Sequence, residues 1–206
     1  MFGLRSSVPE YLGDNIHPVA MLRNIWRHRT LIGRLSQREL AARYRGSMLG
    51  MVWAVLTPLL LLAVYTFVFR VVFKARWSMG SEEGGNGEFA LLLFSGLILF
   101  NIFAECINRA PGLMLENISY IKKVVFPLEI IPVVVLLGAL VNAGISFIVL
   151  AAFYGPVFGW PPLTAVLLPA MVLPLALLSL GLSWFLASAG VFLRDIRQFI
   201  GVAVTM

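Results

Sequence analysis

GSMLGMVWAVLTPLLLLAVYTFVF, residues 46–69, is a run of 24 uncharged residues with Arg45 and Arg70 at its two ends. A helix that crosses the hydrocarbon core of a bilayer needs about 20 consecutive apolar residues. The run therefore predicts a membrane-spanning helix. Pro58 lies inside it, and membrane helices tolerate proline because neighbouring groups satisfy the freed backbone carbonyl.

The composition of the whole chain is that of a polytopic membrane protein. Of its 206 residues, 60% are hydrophobic and 13% are charged, whereas a soluble domain carries about 25% charged residues. A single cysteine, Cys106, excludes an intrachain disulfide. The chain has no G-x-x-x-x-G-K-[ST] phosphate loop, so it does not bind ATP by that device.

Further apolar runs on the C-terminal side predict an all-α fold with several spans. Residues 1–45 form an N-terminal segment, and residues 46–206 form a transmembrane domain. We expect spans at about 46–73, 89–108, 130–153 and 163–190, and the start of a fifth from 198. Because so few residues follow position 198, we expect this sequence to be a C-terminally incomplete version of a longer protein.

The basic residues predict the orientation in the membrane. With the N-terminus inside, the inner segments hold thirteen Lys and Arg, and the outer ones hold three, namely Arg70, Lys74 and Arg76. Short cytoplasmic loops carry the excess of positive charge, so the N-terminus is predicted to be cytoplasmic. The excess of basic residues that gives the net charge of +6 is accounted for by this topology signal. No soluble basic domain remains for nucleic-acid binding.

The segment Met21–Arg45 predicts an amphipathic helix. Its arginines recur at steps of 4, 7, 4 and 7, which places them in one narrow arc of a helix. Such a helix is suited to the inner membrane interface, although Glu39 and Arg43 fall on its apolar side. The alternative is a basic anchor that only fixes orientation. The residues that we assign to this interface helix are Arg23, Trp26, Arg27, Arg34, Arg38 and Arg45.

Ionisable residues inside a membrane usually mark proton or ion pathways. The candidates here are Glu105 and Glu129, which both lie near span ends, and no acid or base sits in the middle of the four complete predicted spans. The only histidines, His17 and His28, precede the first span. This pattern disfavours a proton-coupled carrier and a metal site within the membrane. The energy source is therefore expected on another chain.

Three stretches resemble the permeases of ABC type-2 transporters. RELAARYRGSMLGMVWAVLTPLLLLAVYTFVF (38–69) is similar to the entry into their first span. ENISYIKKVVFPLEIIP (116–132) and FLRDIRQF (192–199) are similar to their two cytoplasmic connections. The likeness is greatest to Wzm-like permeases, which export O-antigen and related lipid-linked polysaccharides. Capsule (KpsM-like) and teichoic-acid (TagG-like) permeases are related.

The resemblance implies a channel-forming half-transporter in the bacterial inner membrane. Two permease copies would form the channel, and two nucleotide-binding subunits, which hold ATP and magnesium, would drive it. This chain itself would carry no cofactor or metal and no catalytic residue. The first connection would couple to the ATPase through Glu116, Asn117, Tyr120, Lys122 and Lys123. The second connection would contribute Arg194, Asp195 and Arg197. The alternative for the two lysines is that they only set the topology.

Aromatic residues along the first span are candidates for the channel lining, because sugars stack on aromatic rings. The alternative is contact with lipid or anchoring at the interface. The candidates are Trp53, Tyr65, Phe67 and Phe69.

Two other functions remain open from the sequence. One is a type-2 exporter of a drug or a simple lipid. The other is a membrane-embedded glycosyl- or acyltransferase, which would need a catalytic acid at a membrane face. Only Glu129 and Asp195 are suitably placed for that role.

Overall fold

The computed structural model describes residues 18–68, 86–118, 127–159, 167–193 and 195–205. Within these ranges the chain is α-helical, with short 3₁₀ turns and no strand. The helices are α1 (Pro18–Arg27), α2 (Arg29–Tyr44), α3 (Trp53–Phe67), α4 (Asn86–Arg109), α5 (Leu113–Glu116), α6 (Ile130–Phe158), α7 (Leu168–Phe192) and α8 (Ile196–Thr205).

Four segments of the described residues are long and apolar enough to cross a membrane. They are Gly50–Phe67, Leu91–Glu116, Ile130–Gly155 and Ala170–Phe192. The protein is therefore an all-α polytopic membrane protein, as its apolar runs predict.

The start of the first span differs from the expected position. The chain turns between α2 and α3 at Gly46 and Gly50, whose φ angles are +93° and +52°. Residues with a side chain rarely adopt such angles, whereas glycine does so at little cost. The apolar run thus begins with a turn, and α3 itself starts at Trp53.

Helix α4 lies at the centre of the bundle and packs against α3, α6, α7 and α8. The largest core cluster joins Leu62 of α3, Phe94, Ile98 and Ile102 of α4 and Ala139 of α6, all at most 8% exposed. Close packing of such residues is what associates helices inside a membrane, where lipid removes most of the hydrophobic driving force. Cys106 is buried in the same cluster.

Two of the spans are longer than a bilayer requires. Leu91–Glu116 and Ile130–Gly155 each have 26 residues, which is about 39 Å at 1.5 Å per residue, against about 30 Å of hydrocarbon. We assign the surplus to the end at which α4 and α5 pack on the start of α6, through Leu113, Ile131 and Val135. Glu105 and Arg109 lie at this end, and charged groups are costly inside hydrocarbon. We call this the charged end of the bundle.

Helices α1 and α2 pack along this surplus length. Ile32 of α2 is buried against Ile130 and Val134 of α6, with Ile25 and Leu35 beside it. The apolar side of the predicted interface helix therefore contacts protein here. Helices α1 and α2 are separated by a single non-helical residue, His28. Helix α2 continues through Gly33 without a break.

Candidate functional site at the charged end of the bundle

Two ion pairs join α2 to α4. The Arg109 guanidinium donates to the Glu39 carboxylate, and the Arg43 guanidinium donates to the Glu105 carboxylate. On each helix the acid precedes the base by four residues, so both charges lie on one face. Because the two helices run in opposite senses here, each acid meets the base of the other helix. We call these four residues the ion-pair cluster.

The ion-pair cluster is partly shielded from water. Its side chains are between 20% and 35% exposed, so the charges attract more strongly than on an open surface. The hydrogen bond from Arg43 to Glu105 raises the pKa of the Arg43 guanidinium, although burial opposes that change. The Asn142 amide of α6 donates to Glu105 over 3.4 Å, so three helices meet at this carboxylate.

Two cavities lie beside the ion-pair cluster, and each has one of the two ion pairs in its wall. The first, of about 490 Å³, contains Arg43 and Glu105 in its wall and extends along α3, α4 and α6. We call it the membrane crevice. The second, of about 340 Å³, contains Glu39 and Arg109 and is bounded by α2, the α4–α5 connection and α6. We call it the end groove.

Comparison with known proteins identifies the family. Residues 30–206 match the family described as ABC-2 type transporter. The chain belongs to the ABC-2 type transporter family. It is a permease, that is, a transport subunit with several membrane spans.

Three relatives carry the name O-antigen export system permease protein RfbA. The one from Myxococcus xanthus is 30% identical over 191 residues, which cover 91% of this chain and 69% of the relative. Two from Klebsiella pneumoniae are 26% and 25% identical, and each match covers 84% of this chain and 63% of the relative. The permease chain thus spans about two thirds of the length of these relatives.

The arginines of the predicted interface helix lie at the surface, and one of them, Arg38, is also in the wall of the end groove. Arg23, Arg27, Arg34, Arg38 and Arg45 are all exposed. Trp26 is also exposed, at 72%, and the guanidinium of Arg29 lies 5.5 Å from the centre of its ring. The permease therefore presents a basic, aromatic-bearing surface along α1 and α2.

Sequence reasoning missed the ion-pair cluster. In the sequence, Glu39 and Arg43 are only irregularities in the apolar face of the predicted helix, and Glu105 is only an acid near a span end. The available signal was the repeated spacing of an acid and a base four residues apart, at 39 and 43 and again at 105 and 109. Two such motifs on packed helices favour pairing, but the sequence does not say that these helices meet.

The described part of the first connection lies at the end groove. Glu116 and Asn117 are in the groove wall, and the Asn117 amide donates to the Leu113 carbonyl over 2.8 Å. The Glu116 carboxylate pairs with Arg197 over 3.2 Å, so the first and second connections are in contact. Asp195 is exposed. Tyr120, Lys122, Lys123 and Arg194 lie outside the described residues.

The aromatic candidates of the first span occupy different positions. Trp53 is 37% exposed and Phe67 is 60% exposed, whereas Tyr65 is partly buried against the core. Phe69 lies outside the described residues. That these aromatic rings line a channel stays a prediction.

Glu129 has structural partners. Its carboxylate accepts a hydrogen bond from the Asn24 amide of α1, and its backbone carbonyl accepts one from the Trp184 indole of α7 over 3.1 Å. These bonds join α1, α6 and α7 where α6 begins. Among the described residues, no group of three His, Cys, Asp or Glu side chains is placed to hold a metal ion.

Proposed function

We propose that this permease is the channel-forming subunit of an ATP-driven exporter of a lipid-linked, O-antigen-like polysaccharide. Two copies would form the channel in the bacterial inner membrane, and two separate nucleotide-binding subunits would bind ATP and magnesium. The names of the three relatives support the choice of cargo. The absence of a phosphate loop from the sequence agrees with an ATPase on another chain.

The observation that carries the proposal is the surplus length of α4 and α6 at the charged end. A helix that extends about 9 Å beyond the hydrocarbon core brings its last turns into water. The distribution of basic residues supports a cytoplasmic location for this end. An ATPase in the cytoplasm could therefore reach α5, the end groove and the connection that follows Ile118.

The end groove has the properties of a docking surface for such a subunit. Apolar side chains of Leu35, Leu113 and Val134 line its floor, and charged groups including Glu39 and Arg109 form its rim. Protein interfaces commonly combine an apolar centre with a polar rim. Glu116, at this rim, forms an ion pair with Arg197. A movement of the first connection could therefore be transmitted to the start of α8.

Export can be tested in cells that make a lipid-linked polysaccharide but lack their own exporter. The permease, expressed with its ATPase, is expected to place polymer on the cell surface. An ATPase variant without its catalytic glutamate should leave the polymer inside. Drug efflux without surface polymer would favour the alternative of a drug or simple-lipid exporter and would contradict the proposed cargo.

Docking can be tested by reversing the charges of Lys122 and Lys123 to glutamate. Like charges placed together across an interface can cost several kcal/mol, so the ATPase should co-purify poorly and export should fall. Membrane insertion should persist because the other inner basic residues still set the orientation. The matched control reverses the charges of Lys74 and Arg76 to glutamate, in the segment predicted to lie outside, where a cytoplasmic ATPase cannot reach. Unchanged ATPase association in the lysine variant would assign those lysines to topology alone.

The transferase alternative is the weaker one. A general acid or base needs a carboxylate that can reach its substrate, but the Glu129 carboxylate is held by Asn24. Replacing Glu129 with glutamine keeps a hydrogen-bonding group at that position. Export should therefore survive this change, whereas a transferase that used Glu129 as its catalytic acid would lose activity.

A further inference from the structure

The end groove and the membrane crevice adjoin each other along the same helices. On α2, Ala42 lies in the wall of the end groove, and the next residue, Arg43, lies in the wall of the membrane crevice. On α6, the wall passes from one cavity to the other between Val135 and Ala139. On both helices this passage takes about one helical turn or less. A thin partition therefore divides two cavities of about 340 Å³ and 490 Å³.

The ion-pair cluster forms part of this partition. The Glu39–Arg109 pair lies in the wall of the end groove, and the Arg43–Glu105 pair lies in the wall of the membrane crevice. The Asn142 amide of α6 donates to Glu105 over 3.4 Å. Polar side chains of α2, α4 and α6 thus meet between the two cavities.

The contacts of α2 with its two neighbours differ in kind. Its buried apolar residue Ile32 packs against Ile130 and Val134 of α6, whereas the ion pairs join it to α4. The charged side chains are 20–35% exposed, so water can replace their partners at a modest net cost. A movement that separates α2 from α4 at this level would therefore break the ion pairs and leave the apolar contact in place.

Both ends of α2 offer positions at which the backbone can turn. A single non-helical residue, His28, separates it from α1, and the turn at Gly46 and Gly50 follows it. Residues at the ends of elements commonly act as hinges, because they absorb changes of φ and ψ without breaking a helix. Helix α2 can thus move as a unit.

We propose that the ion-pair cluster is a gate between the end groove and the membrane crevice, and that this structure shows it closed. Because both pairs join the same two helices, one rotation of α2 separates them together. The two cavities then form a single water-filled passage from the charged end into the bundle. Such a gate goes beyond the proposed function, because it would operate with any cargo.

Thiol labelling in membrane vesicles tests whether the gate closes the crevice. Inverted vesicles from cells that make the permease with its ATPase expose the cytoplasmic side to an impermeant methanethiosulfonate. The reporter is Asn101→Cys, in the crevice wall, and Cys106→Ala removes the buried native thiol. With the gate closed, the reporter should react much more slowly than Arg27→Cys, an exposed position of α1 outside both cavity walls.

Neutralising the acids of the ion-pair cluster should open the gate. Glu39→Gln with Glu105→Gln removes both attractions with little change of size, so labelling of the reporter should rise about tenfold, and about threefold when one acid is changed. The single variants give the same test should the double variant fail to fold. The matched control is Glu129→Gln, which neutralises an acid outside both cavity walls and should leave labelling unaltered.

Two reagents of opposite charge separate opening of the gate from a local change of potential. Loss of two carboxylates would by itself speed a reagent that carries a sulfonate and slow one that carries a quaternary ammonium, whereas an open gate speeds both. A variant with all four signs exchanged should restore slow labelling by both reagents. It combines Glu39→Lys and Glu105→Lys with Arg43→Glu and Arg109→Glu.

Three results would overturn the gate. They are equally fast labelling of the reporter with and without the two acids, opposite changes for the two reagents, and fast labelling of the sign-exchanged variant. Labelling of Arg27→Cys reports the orientation of the vesicles, and if it occurs only in right-side-out vesicles, the same comparison is made there. Because these measurements need no transported substrate, a failure of polysaccharide export would leave the result standing by itself.

Discussion

The two sides of α4 are held in different ways. On one side, the ion-pair cluster joins it to α2 through charged groups that are 20–35% exposed. On the other side, the turn Ala110–Gly112 that follows α4 is fully buried against α7, where Gly190 meets Pro111. The first contact depends on charge and can be broken and re-formed. The second depends on shape, because small residues let helix backbones approach closely in a membrane.

This difference has a consequence for a transporter that must change conformation. Charged pairs at the edge of a membrane can exchange their partners for water at a modest net cost, whereas a close-packed contact cannot open without creating a void. We therefore expect α2 to move relative to α4, while α4 and α7 move together.

The largest effect is expected from reversing one charge in the ion-pair cluster. Glu105→Lys places a cation beside Arg43 and leaves both poorly paired, so we expect the free energy of unfolding to fall by about 2–4 kcal/mol. The cost is below that of a deeply buried pair because the side chains are partly exposed. Denaturant titration of the purified permease in detergent micelles measures this change.

The charge-swapped double variant separates charge from shape. Adding Arg43→Glu to Glu105→Lys restores a pair with its signs exchanged, and it should recover at least half of the lost stability. A double-mutant cycle gives the coupling between the two positions. If the double variant were as unstable as the sum of its single changes, attraction between these charges would not be what joins α2 to α4.

A smaller effect is expected from adding one methyl group on the other side of α4. A Cβ at Gly190 would lie 2.7 Å from the Cα of Pro111, and overpacking of this kind usually costs about 1–3 kcal/mol. Gly190→Ala should therefore lower stability in the same titration. Added salt should not change that loss, because no charge is involved.

The matched control for this contact is Gly181→Ala, also on α7, where a Cβ would meet nothing within 4 Å. Alanine is a better helix former than glycine by up to about 1 kcal/mol, so this variant should be neutral or slightly more stable. Equal losses at positions 181 and 190 would show that the close approach to Pro111 is not the cause.

The smallest effect is expected at the Glu116–Arg197 ion pair. Its side chains are 46% and 66% exposed, and exposed pairs contribute about 0–1 kcal/mol. Arg197→Ala should therefore change stability by less than about 0.5 kcal/mol. Export per ATP hydrolysed should nevertheless fall if this pair transmits motion between the two connections, and reconstituted vesicles provide that ratio.

The long apolar runs could be predicted because each satisfies a local requirement. Residues 130–153, for example, can neither dissolve in water nor leave their backbone groups unpaired in lipid, so they form a helix. The turn at Gly46 and Gly50 was less predictable, since the uncharged run continues across it and isolated glycines also occur inside membrane helices. The periodicity of the arginines predicts an amphipathic helix, and α1 and α2 do have exposed arginines and an apolar face, on which Ile25 and Ile32 lie.

The sequence by itself determined the class of the protein, an all-α polytopic membrane protein, and it predicted the approximate places of the spans and the polar arc of the N-terminal helix. These properties depend on residues near one another in the chain, through hydrophobicity and helical period. Only the tertiary structure decided that Glu39 and Arg43 meet Arg109 and Glu105, and that Thr57, Asn101 and Asn142 share one crevice. The residues brought together in these two places are between 41 and 85 positions apart, so their contact depends on how whole helices pack.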